Sequence, residues 1–199
     1  MASAHAPTPR ERRPRRADAE RSEARILDAA VEALADDPEA SMAEVARRAG
    51  VVRATVYVHF PTREALIAAV TERAMSEVVA VIVAADPERG DPADALRRVV
   101  TEGWRTLGRY HALVAINSRL PDAELHQRHR TVFAALESLI ERGQRGGSFR
   151  NDVPVAWHLS MLVALIHAAS AELRAARVPP DAVESALVAT ALGAVGRSG

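Results

Sequence analysis

The sequence predicts an all-α protein in two parts, a group of three short helices followed by a body of longer helices. Apolar residues recur every three to four positions through most of the chain, which is the period of a helix with one buried face. Several of these stretches begin at a residue type that caps helices. The composition agrees, because 48% of the residues are hydrophobic and only 4% are aromatic. Such a balance is typical of a helical protein with a sizeable core.

Residues 1–17 are predicted to form a disordered basic arm. Residues 1–16 contain three prolines and five arginines against one glutamate, with no apolar period. The arginines suit either a solvated tail or contact with a polyanion such as the DNA backbone. The first helix is then predicted from Asp18 to Asp36, with its apolar face directed at the two helices that follow.

Two short helices joined by a tight turn are predicted between Ser41 and Phe60. Ser41 and Glu44 form a capping box at the start of the first helix, and Gly50 can end it in a left-handed conformation. The second helix is predicted from Arg53 to Phe60. Its inner face is expected to carry Val52, Val56 and Phe60. This arrangement, with polar residues exposed on the second helix, is typical of a helix-turn-helix.

A spacing of 100° per residue directs Ala54 and Val58 outward from the second helix. Apolar side chains on an exposed face suit contact with thymine methyl groups in the major groove. Arg53 is the candidate for a bidentate contact with guanine. Ser41 and Arg48, on the preceding helix, are candidates for phosphate contacts.

The segment from Ser41 to Leu66 resembles the DNA-binding signature of the TetR/AcrR family of regulators. The resemblance rests on Ala49-Gly50-Val51, on Thr55 to Pro61 (TVYVHFP) and on Arg63-Glu64-Ala65-Leu66. It implies that Thr55, Tyr57 and His59 line the DNA interface, and that Tyr57, His59 and Arg63 mostly hold phosphates. Val52 and Val58 depart from the polar residues common in the family. The uncapped start at Val52 is expected to cost about 1 kcal/mol locally.

The body is predicted to follow from residue 66 to residue 199. The expected helices span 63–85, 92–108, 110–119, 121–142, 154–177 and 181–195, and the glycine-rich segment 143–152 is expected to be exposed. The helix from residue 63 joins the N-terminal domain (18–65) to the body, so we expect it to transmit movement. The helix 154–177 is apolar on nearly every face, which predicts burial on both sides.

The family resemblance also implies a small-molecule effector, a homodimer and a palindromic operator. Aromatic and polar residues of the body are candidates for the effector site: Trp104, His111, Asn117, Phe133, Trp157 and Met161. Apolar residues of the last two helices are candidates for the dimer interface, where a two-fold helix bundle would bury them: Leu162, Ile166, Leu173, Val183, Leu187 and Leu192.

Other classes of function find little support in the sequence. No Ser-nucleophile, zinc-protease, Walker or dinucleotide motif is present, so we predict a non-enzyme without a cofactor. We interpret His126 and His129 as solvated histidines rather than a metal pair, and there is no Cys. No membrane span is expected, and the protein is predicted to be cytoplasmic. The alternative to a ligand-released repressor is a ligand- or partner-binding helical protein whose helix-turn-helix no longer reads DNA.

Overall fold

A computed structural model of the chain describes residues 9–118 and 120–196. These residues form helices and no sheet, as predicted. The bounds are α1 Pro9–Asp36, α2 Met42–Ala49, α3 Arg53–His59, α4 Arg63–Ala84, α5 Pro92–Leu107, α6 His111–Asn117, α7 Asp122–Arg145, α8 Val155–Arg174 and α9 Pro180–Val195, with a 3₁₀ turn at Gly108–Tyr110. The chain divides into two compact units between Val70 and Thr71, inside α4. The predicted boundary at 65/66 lies within the same helix.

Helix α1 begins at Pro9, so the prediction of a disordered arm is wrong for residues 9–17. Proline suits the first turn of a helix, and the straight-chain Arg and Glu residues that follow have good helix propensity. The absence of an apolar period therefore did not prevent a helix here. Residues 1–8 of the predicted arm lie outside the described residues.

The core of the N-terminal unit lies where α1, α2 and α3 meet. The buried side chains come from the apolar stripes of these helices and from the start of α4: Ile26, Ala30, Leu34, Met42, Val45, Ala46, Val56, Phe60 and Leu66. The backbone N–H of Glu44 donates to Ser41 Oγ (3.2 Å), and Gly50 adopts φ 64°. The Ser41 cap and the Gly50 end therefore form as predicted and fix the turn into α3. The Glu44 half of the predicted capping box does not form, because the Glu44 carboxylate accepts from Arg47 and Arg48 instead.

The second unit packs α5, α7, α8 and α9 around a largely aliphatic core. Asp91 caps α5 by accepting from the backbone N–H groups of Ala93 and Asp94, with Pro92 in the first position. Helix α7 continues through Gly143 to Arg145, beyond the predicted end at Arg142. The segment 143–152 is also less exposed than predicted, because Phe149 is fully buried against the bare backbone of Gly143.

Helix α8 does not show the burial on both sides that its sequence predicts. It is the one helix in the described part of the chain that is long and apolar enough to cross a membrane, by length and composition only. Core helices of soluble proteins meet the same criterion. Within the chain, 28% of its most apolar stretch is buried, and His158 and Ser170 are among the buried residues. An apolar face of α8 is therefore left for another contact.

Candidate nucleic-acid interface and ligand cavities

Helix α3 exposes an apolar surface that its own chain does not cover. Val58 is 81% exposed and Val52 is 70% exposed, while Val56 on the opposite side is fully buried. Ala54 is exposed as well, so the outward direction predicted for Ala54 and Val58 is confirmed. We call Val52, Arg53, Ala54, Tyr57 and Val58 the recognition surface.

Val52 was predicted to point inward, and that prediction is wrong. Val52 is the residue before the first turn of α3, with an extended backbone (φ −72°, ψ 147°) and no side-chain cap. The 100° projection holds only inside a helix, so it cannot be carried back to this position. Val52 instead extends the recognition surface toward the turn.

Arg53 and Tyr57 form a pair at the centre of the recognition surface. Nη2 of Arg53 donates to the Tyr57 hydroxyl oxygen (3.0 Å), and the guanidinium carbon lies 5.3 Å from the ring centroid. The two residues are one helical turn apart, which brings their side chains together. Tyr57 thus orients a guanidinium that keeps other donors free for a base or a phosphate.

The cations of α2 are partly neutralised by their neighbours. Arg47 and Arg48 both donate to the Glu44 carboxylate, and Arg48 also donates to Asp36 (2.8 Å). The hydrogen bonds from Arg47 and then Arg48 lower the pKa of Glu44 to about 2. A phosphate at Arg48 would therefore compete with two carboxylates, whereas Ser41 has its hydroxyl at the exposed start of α2.

The remaining predicted contact residues lie at the edge of the recognition surface. Thr55 is half-buried, and His59 Nδ1 lies 3.9 Å from a Glu23 carboxylate oxygen. Arg63 Nε donates to the Ala40 carbonyl (3.3 Å), and its Nη2 donates to the Pro38 carbonyl. Arg63 therefore fastens the loop before α2 in the free protein, a role that sequence reasoning missed.

Three adjoining cavities lie within the second unit. An inner cavity of about 50 Å³ has aliphatic walls from α4, α5, α7, α8 and α9. A middle cavity of about 40 Å³ and a histidine cavity of about 240 Å³ lie beside it. Val163 lines all three, and His129 lines the middle and histidine cavities. The three cavities together therefore extend from a purely apolar interior to a polar end.

Imidazoles surround an aromatic ring at the polar end of these cavities. Phe133 has the rings of His126 and His129 at centroid distances of 4.9 and 6.1 Å, and His167 of α8 lies 5.7 Å from His129. His129 was predicted to be solvated; it is instead half-buried, and its Nδ1 lies 2.8 Å from the Leu125 carbonyl oxygen. Because a carbonyl only accepts, Nδ1 carries the proton, and Nε2 of the neutral ring is left as an acceptor.

Partial burial lowers the pKa of the two half-buried imidazoles of this cluster, His129 and His167. For His129 the charges of His126 and Arg128 act in the same direction, while the Leu125 carbonyl opposes them. For His167 the further causes are His129 and Arg174. Within residues 9–118 and 120–196, no group of three or more His, Asp or Glu side chains is arranged to hold a metal ion.

Comparison with known proteins identifies the family. Residues 26–70 match the family described as bacterial regulatory proteins, tetR family. The HTH-type transcriptional repressor LfrR of Mycolicibacterium smegmatis is 34% identical over 152 residues, which cover 75% of this chain and 77% of the relative. The chain belongs to the tetR family.

Further tetR-family proteins resemble the chain over most of its length. The HTH-type transcriptional regulator NfxB of Pseudomonas aeruginosa is 28% identical over 147 residues, covering 72% of this chain and 78% of the relative. The crystal structure of the TetR-like regulator LfrR from Mycobacterium smegmatis in complex with proflavine superposes with a TM-score of 0.70 at 28% identity, covering 90% of this chain and 98% of that one. The protein is accordingly a helix-turn-helix transcriptional regulator, as its relatives are.

Most of the residues predicted to line an effector site lie away from the three cavities of this tetR-family body. Phe133 alone lines one, the histidine cavity. Trp104 is buried against His111 (ring centroids 4.9 Å apart), and Asn117 is buried in a hydrogen bond to Thr71. Trp157 is 64% exposed and Met161 is half-buried. Trp104 and Asn117 are therefore packing residues, Trp157 is a surface residue, and the inner cavity has aliphatic walls.

The predicted dimer residues face mainly into their own chain. Leu162, Val183 and Leu187 are buried, and Ile166, Leu173 and Leu192 are half-buried. The exposed residues of α8 and α9 are instead mostly small, although α8 also exposes Trp157. The small exposed residues include Ala164, Ala168, Ala186, Ala189 and Gly193. A groove of about 220 Å³ runs between the two helices, with Ala168, Ala186 and Thr190 among its walls.

Sequence spacing held a signal for the histidine cavity. His126, His129 and Phe133 occur at i, i+3 and i+7, which is one face of a helix. His167 interrupts an otherwise apolar stretch of α8. His129, Phe133 and His167 together indicate a polar site facing an apolar interior, whereas His126 is exposed, as predicted.

Proposed function

We propose that the protein is a repressor that binds a palindromic operator as a homodimer and is released by a small molecule in the second unit. Its place of action would be the bacterial cytoplasm, where DNA is accessible. The observation that carries the DNA-binding proposal is the exposure of Val52 and Val58 beside the oriented Arg53. Uncovered apolar side chains on a recognition helix are explained by contact with thymine methyl groups.

The contact residues are proposed to divide into two roles. Arg53, Ala54 and Val58 contact base edges, with Arg53 on a guanine and the apolar pair on thymines. Phosphate oxygens are held by Ser41, Arg48, Thr55, Tyr57, His59 and Arg63. Phosphate contacts fix position and base contacts fix sequence, so the two groups predict different effects of substitution.

The homodimer is proposed to form through the exposed stripes of α8 and α9. Alanine and glycine at these positions let helices of two chains approach closely, and both stripes follow helical spacing. This dimer interface is supported by α8, which is apolar but only partly buried by its own chain. A two-fold dimer presents two recognition surfaces, and an operator with matching symmetry follows.

Release is proposed to act through α4. Val78 and Ile82 of α4 line the inner cavity, so a ligand there touches this helix directly. Hydrogen bonds hold α4 in the second unit: the Tyr110 hydroxyl (2.9 Å) and Arg109 Nη2 donate to Glu77, and Asn117 Nδ2 donates to Thr71 Oγ1 (3.2 Å). A ligand that displaces α4 would change the separation of the two recognition surfaces. By linkage, ligand and DNA then weaken each other's binding by the same factor.

The test is binding of the purified full chain to DNA from beside its own gene, with excess nonspecific competitor. We expect saturable binding, a two-fold symmetric footprint, and a large loss when one half of the site is scrambled. Proflavine, which is bound in the crystal structure of the similar LfrR, tests whether a cationic ligand releases the DNA. Binding no tighter than to competitor would overturn the DNA-binding proposal, and a monomer footprint would overturn the dimer.

The alternative, a ligand- or partner-binding protein without DNA recognition, is tested in the same assay. Substituting Arg53 and Tyr57 by Ala removes no buried core side chain, because Arg53 is exposed and Tyr57 is 37% exposed. If these variants bind DNA as tightly as the wild type, α3 is not a recognition helix.

A further inference from the structure

From the geometry of the histidine cavity we infer the chemical class of the ligand. We propose that it is an apolar weak acid, whose carboxylate or phenolate lies at His129 and His167 and whose apolar part extends toward the aliphatic cavities. The inference rests on the proposed function, since it concerns the effector site of that proposal. It deepens that proposal by naming what the site selects.

The walls of the three cavities decide the sign of the ligand's charge. Residues lining them are aliphatic or aromatic apart from Ser160, His126, His129 and His167, and no carboxylate is among them. A cation entering this end would meet no opposite charge to offset the part of its hydration that it loses. An anion would meet His129 and His167, which can become cations.

The charged surroundings of the two buried imidazoles favour an anion as well. Arg128 and His126 act on His129 from α7, and Arg174 acts on His167 from α8. Arg128 is also paired with Glu124 (2.7 Å), so its charge is only partly available. The other helices contribute only uncharged side chains to the lining of the middle cavity. These are Met75 and Val78 from α4, Leu107 from α5 and Val114 from α6.

Proton uptake is the expected consequence of binding an acid here. In the free protein burial keeps His129 and His167 predominantly neutral at pH 7, because their pKa values lie below the ordinary 6.5. An anion beside them favours the imidazolium form and raises the pKa. Binding of the anion is then coupled to binding of a proton, and affinity falls as the pH rises.

The experiment compares three probes of one skeleton, 1-naphthoate, 1-naphthamide and 1-naphthylmethylamine, which are anionic, neutral and cationic. Isothermal titration calorimetry at pH 6.0, 7.0 and 8.0, in two buffers of different ionisation enthalpy, gives affinity and proton uptake. We expect naphthoate to bind at least tenfold more tightly than the other two at pH 6.0. Its affinity should fall by up to about tenfold per pH unit, with uptake of a fraction of a proton to one proton per ligand.

The matched variants are His129→Gln and His111→Gln. Burial lowers the pKa of His111 too, but His111 lines none of the three cavities. We expect His129→Gln to abolish the preference for the acid and the proton uptake, while His111→Gln keeps both. If His129→Gln does not fold, the test remains decisive. His167→Gln then replaces it, and proton uptake is still measured on the wild type.

The outcomes separate this inference from the proposed function. Equal or tighter binding of the amide or the amine, or naphthoate binding without proton uptake, overturns the acid inference and leaves the effector site standing. Equal losses in His129→Gln and His111→Gln overturn it as well. If none of the three probes binds, both the inference and the assignment of these cavities as an effector site fail.

Discussion

Replacing Gly143 by Ala should destabilise the protein, although alanine is the better helix former. A Cβ built at Gly143 would lie 2.0 Å from Cδ2 of Phe149 and 2.4 Å from its Cε2. Carbon atoms pack best about 3.5–4.0 Å apart. The ring must therefore shift by more than 1 Å, and it is only 1% exposed, so other core atoms must move with it. Such overpacking typically costs about 1–3 kcal/mol.

The control is Gly103→Ala in α5, where a Cβ meets no heavy atom within 4 Å. There the substitution should stabilise by about 1 kcal/mol, the difference between Gly and Ala inside a helix. The same gain offsets part of the cost at Gly143, leaving a net loss of about 1 kcal/mol. The two variants should therefore differ by about 2 kcal/mol, or roughly 4–8 °C in Tm for a chain of this size.

Thermal and urea unfolding, followed by circular dichroism at one fixed protein concentration, measure both variants against the wild type. We expect the transition of Gly143→Ala below that of the wild type and the transition of Gly103→Ala above it. A Gly143→Ala protein as stable as the wild type would refute the packing of Phe149 on α7. If the transitions of Gly143→Ala and Gly103→Ala shift in the same direction, the estimated stability difference between the two variants is refuted.

Three further predictions concern the dimer, the histidines and α4. Ala164→Glu places a charge on the exposed stripe of α8 and should yield monomers by analytical ultracentrifugation, while Ala134→Glu, exposed on α7, should remain dimeric. Folding lowers the pKa values of His129 and His167. Their contribution to stability is therefore complete above pH 6.5 and is lost as the pH falls below it. The Tm should drop between pH 7.5 and 5.5, and it should drop less in His129→Gln. Tyr110→Phe removes the buried hydroxyl that donates to a carboxylate on α4. This should lower the free energy of unfolding by about 1 kcal/mol and should also change DNA affinity. Unchanged DNA affinity would argue against α4 as the transmitting helix.

Local signals were enough to predict the helix-turn-helix. Ser41, Glu44 and Gly50 act on atoms within four residues of themselves, so the ends of α2 follow from the sequence. The outward direction of Val58 also follows, because a short helix has one period. Val52 shows the limit of this reasoning, since the period ends at the cap and the backbone there turns the side chain outward.

The body could not be derived in the same detail, because its contacts join residues far apart in sequence. Gly143 looked like a loop glycine, yet it lies inside α7 and leaves room for Phe149, six residues later. Leu162 and Leu187 looked like spare apolar surface for a partner, yet both line the inner cavity of their own chain. Which face of an all-apolar helix is covered depends on packing that a single helix period does not specify.

The N-terminal residues show a third reason for failure. Pro9 and the arginines after it have no apolar period, which favours a disordered arm. Helix α1 includes them nevertheless, because propensity and continuation of an existing helix can suffice without a buried face. Absence of periodicity is thus weaker evidence against a helix than its presence is evidence for one.

The most direct test of the account is the affinity of wild-type protein and of Arg53→Ala for DNA from beside the gene, across a salt series. We expect wild-type binding to resist nonspecific competitor, and the logarithm of its binding constant to fall linearly with the logarithm of the salt concentration. Arg53→Ala should bind about 5- to 150-fold more weakly, the loss expected for 1–3 kcal/mol at a guanine. Its thermal stability should match the wild type, since the side chain is exposed. Equal affinity of the two proteins at every salt concentration would contradict the claim that α3 reads DNA.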